Sequence, residues 1–410
     1  MLQNQAPHPS QSGPRQDPLD ADELVRLAKS QSLADGGVRT SEILADALAR
    51  DSRHHEAQVL QERLHQMFVP RWHFPMLADR ARNQAYARAI AAKVRPGDVV
   101  LDIGCGAGLT AMLAARAGAK HVYTCEQQPL IAQAAERVIA ANGLSSRITV
   151  LPKWSHDIVI GEDMPEPADV VISEIVDTVL LGEGALATLT HAMAVLAKPE
   201  ARAVPERGTL LAQPVESRGL LDLWRPQEAE GFDLSAFHRF ARVAQLTPND
   251  LAACRLKPLA APAGLFRFDF ARPTLDPARV ARELACTEAG TIHAVCASFE
   301  MQLAPGILVA NGLQSGGHWG RTAYLLDQPV AAAAGDRLRV TAQHDAAQLS
   351  LSIDGLTPRA ADAEPAALWM TRGWTGAPPV LARGGAEAPA GAAWAPPKAA
   401  PPEGGAQPYH

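Results

Sequence analysis

Residues 99–109 read VVLDIGCGAGL: a short apolar run, an acid near its end, and glycines at alternate positions 104, 106 and 108, with the helix-period stretch LTAMLAARAG beginning at Leu109. An apolar run that ends in glycines reads as a buried strand turning sharply into a helix. The same alternation continues outward from this stretch. HVYTCE, ITVLP and ADVVISEI have strand character, and PLIAQAAERVIAANG and EGALATLTHAMAVLA have helical period. Strands alternating with helices predict a doubly wound α/β fold, a parallel sheet with its ligand at the carboxyl ends of the strands. Beyond Pro205 the apolar runs GTLLAQPVES, LFRFDF, TIHAVCASFEMQL, WGRTAYLLD, DRLRVTAQH and QLSLSI follow without long helices between them. They predict a second, mostly antiparallel β unit.

The chemistry of the turn narrows the ligand. Glycine lets the backbone turn tightly and approach a bound molecule closely, but that geometry also serves dinucleotides, so the turn alone is weak evidence. The spacing here is GxGxG and not GxGxxG. Asp102 would repel a pyrophosphate and would suit a ligand carrying an ammonium group. Glu126 ends the next strand run, where an acid in such folds accepts from ribose hydroxyls. With the turn residues Gly104, Cys105 and Gly106, these acids point to S-adenosyl-L-methionine. After the fourth strand run, SEIVDTVLLGEGAL places Glu174 and Glu183 nine residues apart, with Asp177 between them. Two carboxylates folded toward each other by such a loop can grip a planar guanidinium through charge-assisted, bidentate hydrogen bonds.

Composition bounds the remaining choices. Of 410 residues 47% are hydrophobic, enough to bury a core, and 38 Lys plus Arg against 44 Asp plus Glu leave a net charge of −6, which argues against a dedicated nucleic-acid binder. Five cysteines, Cys105, Cys125, Cys254, Cys286 and Cys296, form no CxxC pair. No zinc site or disulfide framework is signalled, and no metal is expected. The N-terminus lacks the apolar core of a secretory signal and no membrane-length apolar run occurs, so a cytoplasmic protein is expected. Residues 1–20 read as a disordered leader, 21–66 as a helical extension of two amphipathic helices, 67–204 as the cofactor domain, 205–358 as the β unit, and 359–410 as a largely disordered Ala/Pro/Gly-rich tail.

The motifs in order resemble the protein arginine N-methyltransferases. The Gly-rich turn, Glu126, the two loop glutamates, VPERGTLLAQPVES and GGHWGRTAYLL match that family's cofactor turn, double-acid loop and His-Trp loop over most of Phe68 to Ile353, with Gly317 where Thr is usual. The resemblance implies a Rossmann-like class I methyltransferase domain followed by a β-barrel-like domain with a dimerisation arm. In HFPMLADRARNQAY it implies that Met76 packs on the cofactor, Arg82 binds its carboxylate, and Asp79 pairs with His318 as a candidate proton relay. It implies adenine contacts from Ser155 and His156, and substrate contacts from Trp319 and Asp177. DTVLLGEGAL and DRARN look most like the monomethylating, type III branch, its number seven, although Val179 stands where that branch usually carries an acid and Ala185 where dimethylating members often have Met. The segment WRPQEAEGFDLSAF resembles the arm, about 218–240, with Trp224 and Phe232 expected to be exposed for a partner. The branch often has two tandem modules and one is read here, so a homodimer is expected.

The partner expected is an arginine-containing protein or peptide, with no membrane and no specific nucleic acid. A small amine or guanidine as acceptor, or a noncatalytic binding module on the same fold, are the alternatives. A DNA base is disfavoured because SEIVD lacks a Pro-Pro-aromatic stacking platform.

Overall fold

The computed structural model describes residues 19–359. The expected leader, but for Leu19 and Asp20, and the expected tail, but for Arg359, lie outside them. Three helices form the N-terminal extension, α1 (Ala21–Lys29), α2 (Val38–Arg50) and α3 (His55–Phe68), and they pack round Leu24, Val25, Ile43, Leu44, Ala47 and Ala57. This corrects the expectation of two. The signal for α1 lies in its cap and not in its short periodicity: Asp20 accepts from the Glu23 N–H at 2.8 Å and the Glu23 carboxylate accepts from the Asp20 N–H at 2.9 Å, a capping box. After the short α4 (His73–Ala78) the chain breaks at Asp79, whose side chain accepts from the Arg82 N–H at 3.0 Å and so starts α5 (Arg80–Lys93).

The α/β part follows as β1 (Val99–Ile103), α6 (Leu109–Ala117), β2 (His121–Cys125), α7 (Pro129–Ala141), β3 (Ile148–Leu151), β4 (Ala168–Ser173), α8 (Ala185–His191) and β5 (Ala197–Val204). All five strands are parallel, in the order β3-β2-β1-β4-β5. Strand order reverses between β1 and β4, and a crevice opens beyond their carboxyl ends at such a reversal. Strand β5 escaped the sequence reading because it is an edge strand with a proline and exposed charges.

The antiparallel part comprises β6 (Arg207–Glu216), α9 (Arg218–Trp224), β7 (Glu228–Ala229), β8 (Phe232–Asp233), β9 (Val243–Leu246), α10 (Pro248–Cys254), β10 (Lys257–Pro258), β11 (Ala263–Asp269), β12 (Ala278–Ala285), β13 (Gly290–Ala304), β14 (Ile307–Ala310), β15 (Arg321–Ala332), β16 (Arg337–His344) and β17 (Leu349–Thr357). One sheet runs β10-β6-β13-β15-β9, with β11 also on β6 and β14 also on β13; a second runs β12-β16-β17. An isolated bridge, Ala260 to Cys286, links segments flanking the two sheets. Among the described residues no ladder closes them into a barrel. Topology changes at Pro205 without a break in the core: Leu101 and Ile172 of the parallel sheet belong to the same buried cluster as Leu210, Phe299 and Val340.

The segment expected to be an arm comprises α9, the β7–β8 hairpin and a 3₁₀ turn over Ser235–Phe240. Phe232, Phe237 and Phe240 are exposed there, as expected for Phe232, but Trp224 is not. Its ring is half-buried against the cluster of Val215, Leu220 and Leu246, because α9 packs inward on β13.

Candidate active site

A cavity of about 600 Å³ opens at the carboxyl ends of β1, β2 and β4. Its lining brings together Met76, Arg82, Gly104, Cys105, Gly106, Glu126, Ser155, His156, Glu174 and Glu183. These ten residues come from well-separated segments, and the sheet topology gathers them. Gly104 has φ +82°, and a Cβ there would lie 2.7 Å from Ile175 Cγ2, so the turn needs glycine for both conformation and space. Glu126 is anchored below the turn, accepting from the Gly106 N–H at 3.1 Å and the Gln128 N–H at 3.0 Å. Met76 of α4 and Ser155 are buried against the cavity, while His156 is exposed and stacks on His191. Trp154 and Thr188, not singled out from sequence, also line it.

Asp102 does not line the cavity. It lies buried behind the turn, where its Oδ2 accepts from the Thr124 hydroxyl at 2.7 Å and its Oδ1 has no partner. Burial pushes its carboxyl up to about 7, against the opposing hydrogen bonds of Thr124 and Thr110. An unpaired buried oxygen is costly.

Glu174 follows β4 and forms a buried ion pair with Arg82, Nη2 to Oε2 at 2.6 Å, with 4% and 7% of the two side chains exposed. Burial pushes the Glu174 carboxyl up to about 7; Arg82 pulls it down and the nearby Glu183 pushes it further up. Arg82 also donates to Asn83 Oδ1 at 2.9 Å and lies over the Tyr86 ring, while its Nε is buried without an acceptor. Arg82, expected to face a cofactor carboxylate, thus has Glu174 as its first partner. Glu183 sits at φ +58° on an exposed bend at the cavity edge. Desolvation against the protein, then Asp177 and Glu126, raise its carboxyl above the usual range.

Asp177, expected among the substrate contacts, organises its own loop with one carboxylate oxygen. Its Oδ1 accepts from the N–H groups of Val179 and Leu181 at 3.0 and 3.1 Å, and a Cβ on Gly182 would lie 2.6 Å from its carboxylate. Val179 and Ala185 are both buried in the core. Thr178 joins the loop to the β unit: its hydroxyl meets the Thr322 hydroxyl at 2.7 Å, and its carbonyl accepts from the buried Asn311 side chain at 3.1 Å.

His318 and Asp79 do meet. Asp79 Oδ2 accepts from the His318 N–H at 3.1 Å and lies 3.1 Å from His318 Nδ1. Burial lowers the His318 imidazole below its usual range despite Asp79, and the Asp79 carboxyl, although burial works to raise it, is held low by hydrogen bonds from the Arg82 N–H and from His318. The imidazole is therefore neutral near pH 7 with Nδ1–H on Asp79, which leaves Nε2 as its basic nitrogen. Gly317 has φ +113°, and a Cβ on it would lie 2.7 Å from Asp79 Oδ2. Glycine suits both this φ and the close approach of the carboxylate. Trp319 is buried with its ring edge-on to Phe299.

A doubly wound sheet with a glycine turn, an anchored acid after β2 and an acid pair after β4 defines a class I, S-adenosylmethionine-dependent methyltransferase. Comparisons with known proteins narrow the class. Residues 84–204 match the model for ribosomal protein L11 methyltransferase, and residues 206–354 that for the arginine methyltransferase oligomerization subdomain. An arginine N(omega)-methyltransferase of Streptomyces achromogenes subsp. streptozoticus is 40% identical over 271 residues, 66% of this chain and 75% of the relative. Protein arginine N-methyltransferase 7 of Oryza sativa subsp. indica is 35% identical over 252 residues, 56% of this chain but only 34% of that longer protein. Among solved structures, the Trypanosoma brucei PRMT1 enzyme-prozyme complex with AdoHcy shares the fold at TM-score 0.59 and 22% identity, covering 69% of this chain and 93% of that one. Arabidopsis thaliana protein arginine methyltransferase 10 does so at 0.54 and 22%, covering 65% and 86%. The chain belongs to the arginine N-methyltransferase family.

Proposed function

We propose that this chain transfers a methyl group from S-adenosylmethionine to a guanidinium nitrogen of an arginine in a protein or peptide, with monomethylarginine as the product. The observation that carries the reading is the convergence of Glu174 and Glu183 on the cavity that also holds the glycine turn and Glu126. The residues fit the cofactor: Glu126 would accept from the ribose, Ser155 and His156 would border the adenine, and Met76 and Arg82 would hold the methionine end, where the unpaired Arg82 Nε has capacity to spare. The cofactor supplies an electrophilic methyl on a sulfonium. Everything else is positioning, which can supply much of such a rate.

Glu174 and Glu183 would clamp the guanidinium. With Glu174 near 7, the arriving cation favours its ionised form, so substrate binding itself recruits the carboxylate. Arg82 fixes Glu174 through the 2.6 Å ion pair, so the clamp has one rigid jaw and one exposed jaw on the loop that Asp177 organises. Drawing the guanidinium charge toward the glutamates leaves the attacking nitrogen more nucleophilic. Its proton would leave to solvent or through neutral His318, with Asp79 orienting the ring. Val179 and Ala185, buried in the core, supply no acid near the acceptor, and monomethylation is the product assigned on the likeness of the loop to the type III branch.

The same reading divides the chain into the helical extension (21–66), cofactor domain (67–204) and β domain (205–358). It makes the chain a homodimer through its arm, whose exposed Phe232, Phe237 and Phe240 form an apolar patch suited to a partner. A cytoplasmic setting accords with five cysteines that are all free and buried. A second reading, free arginine as acceptor, is favoured by one observation: the Streptomyces relative is named for arginine, the rice relative for protein arginine. Glu183→Gln tests the clamp. Cofactor affinity measured by calorimetry should hold within about twofold while transfer falls about 100-fold or more; retained transfer would remove Glu183 from the mechanism.

A further inference from the structure

Arg321 is the largest fully buried side chain among the described residues, at the first position of β15, and among them no carboxylate pairs with it. Its guanidinium is spent on backbone carbonyls. Nη1 donates to Trp319 at 2.6 Å and Gly320 at 2.8 Å, and Nη2 donates to Gly312 at 2.7 Å and Ser315 at 2.9 Å. Those four carbonyls belong to the loop that presents His318 and Trp319, folded round the guanidinium plane. Burying a cation without a counter-charge is expensive, and desolvation lowers the Arg321 pKa accordingly. A loop needing only to be covered would be served by an apolar side chain; this one is served by a planar group with donors in fixed directions.

We propose that Arg321 is a positioning residue of the methyl-transfer reaction: it sets the conformation of the His318–Trp319 loop and couples that loop to the acid pair. The coupling is visible in the bonds. Gly320 O, one of the Arg321 acceptors, also accepts from Asn311 Nδ2 at 3.2 Å, and the same nitrogen donates to Thr178 O in the loop that carries Glu183. Asn311 is fixed in turn by the Phe299 N–H on its Oδ1. Arg321 thus holds one side of a shared carbonyl whose other side is tied to the clamp loop. Within the same loop, His318 reaches Asp79, which caps the helix carrying Arg82, the partner of Glu174. The ammonium of lysine, with three tetrahedrally disposed donors, cannot satisfy four carbonyls arranged round a plane.

The proposal rests on the functional reading above, and the test separates the two. In the full-length protein, R321K and R321Q are each compared with wild type in three measurements: affinity for S-adenosylhomocysteine, kcat and KM on an arginine-rich peptide, and the NMR titration of the His318 imidazole. Both variants are expected to bind the cofactor product within twofold of wild type, to lose at least tenfold in kcat, and to show His318 titrating at a higher pH as the released ring enters water. A kcat within twofold of wild type, a loss of kcat with the His318 titration unmoved, or a loss of cofactor affinity as large as the loss of kcat would each overturn it. Wild-type protein inactive on arginine would defeat the functional reading alone, since the His318 titration would still decide whether Arg321 holds the loop.

Discussion

Gly317→Ala adds one methyl group at the point where the His318 loop meets Asp79. Its backbone sits at φ +113°, outside the left-handed region that residues other than glycine tolerate, and holding alanine there costs about 1–3 kcal/mol. The new Cβ would lie 2.7 Å from Asp79 Oδ2, the oxygen that takes both hydrogen bonds from His318. That oxygen cannot simply turn away, because the other carboxylate oxygen is fixed by the Arg82 N–H at 3.0 Å. Losing one hydrogen bond to a buried charge adds about 1.5–3 kcal/mol. The sum, about 2.5–6 kcal/mol against the closed loop, corresponds to roughly two to four orders of magnitude in the population of the reactive arrangement. Steady-state kinetics on an arginine peptide, beside calorimetric cofactor binding, reads it out: kcat should fall at least about 100-fold with cofactor affinity little changed. Asp79→Asn combined with Gly317→Ala should lose less than the two single losses together, because both act on one contact. A G317A enzyme within threefold of wild type, or strictly additive losses, would refute the assignment of the Asp79–His318 contact to the reaction.

Glu174 and Asp102 both titrate near 7 through burial, so each binds its proton more tightly in the folded chain than unfolded. Their contribution, on the order of 3 kcal/mol each, is present in full below the ordinary carboxylate range and is lost as pH rises through about 7. The urea midpoint of the free protein should therefore fall between pH 5 and pH 8, and Asp102→Asn should flatten that fall; an unchanged slope in the variant would contradict it. Replacing Phe232 and Phe237 by serine should reduce the sedimentation mass from two chains to one, and a wild-type protein already sedimenting as one chain would remove the arm from any interface.

Much of the fold was legible because its signals are local. Val99–Ile103 is a run too apolar to lie anywhere but in a central strand, and the glycines after it permit one kind of turn. Glu126 and Glu174 could be placed because each follows a strand whose carboxyl end faces the cavity, and Glu183 because it lies on the loop after the fourth strand. What stayed hidden depends on partners distant in sequence. β12 presents mostly exposed residues, three of them charged, and α1 is defined by its capping box more than by periodicity. Asp177 carries the same charge as its neighbouring glutamates, and only the loop conformation shows that one of its oxygens takes the N–H groups of Val179 and Leu181. The Arg82–Glu174 pair spans two distant segments, and nothing in either segment announces the other. Arg321, read along the chain, is an ordinary charged residue at a strand start; its burial under four carbonyls is a property of the folded loop alone.

Transfer to an arginine nitrogen is the step on which the proposed function stands. The direct test is mass spectrometry of arginine-rich peptides and of free arginine after incubation with the full chain and S-adenosylmethionine carrying an isotopically labelled methyl. One labelled methyl is expected on the guanidinium of peptide arginine, with no second addition on longer incubation. No label on arginine in either form, from protein that binds the cofactor, would contradict it.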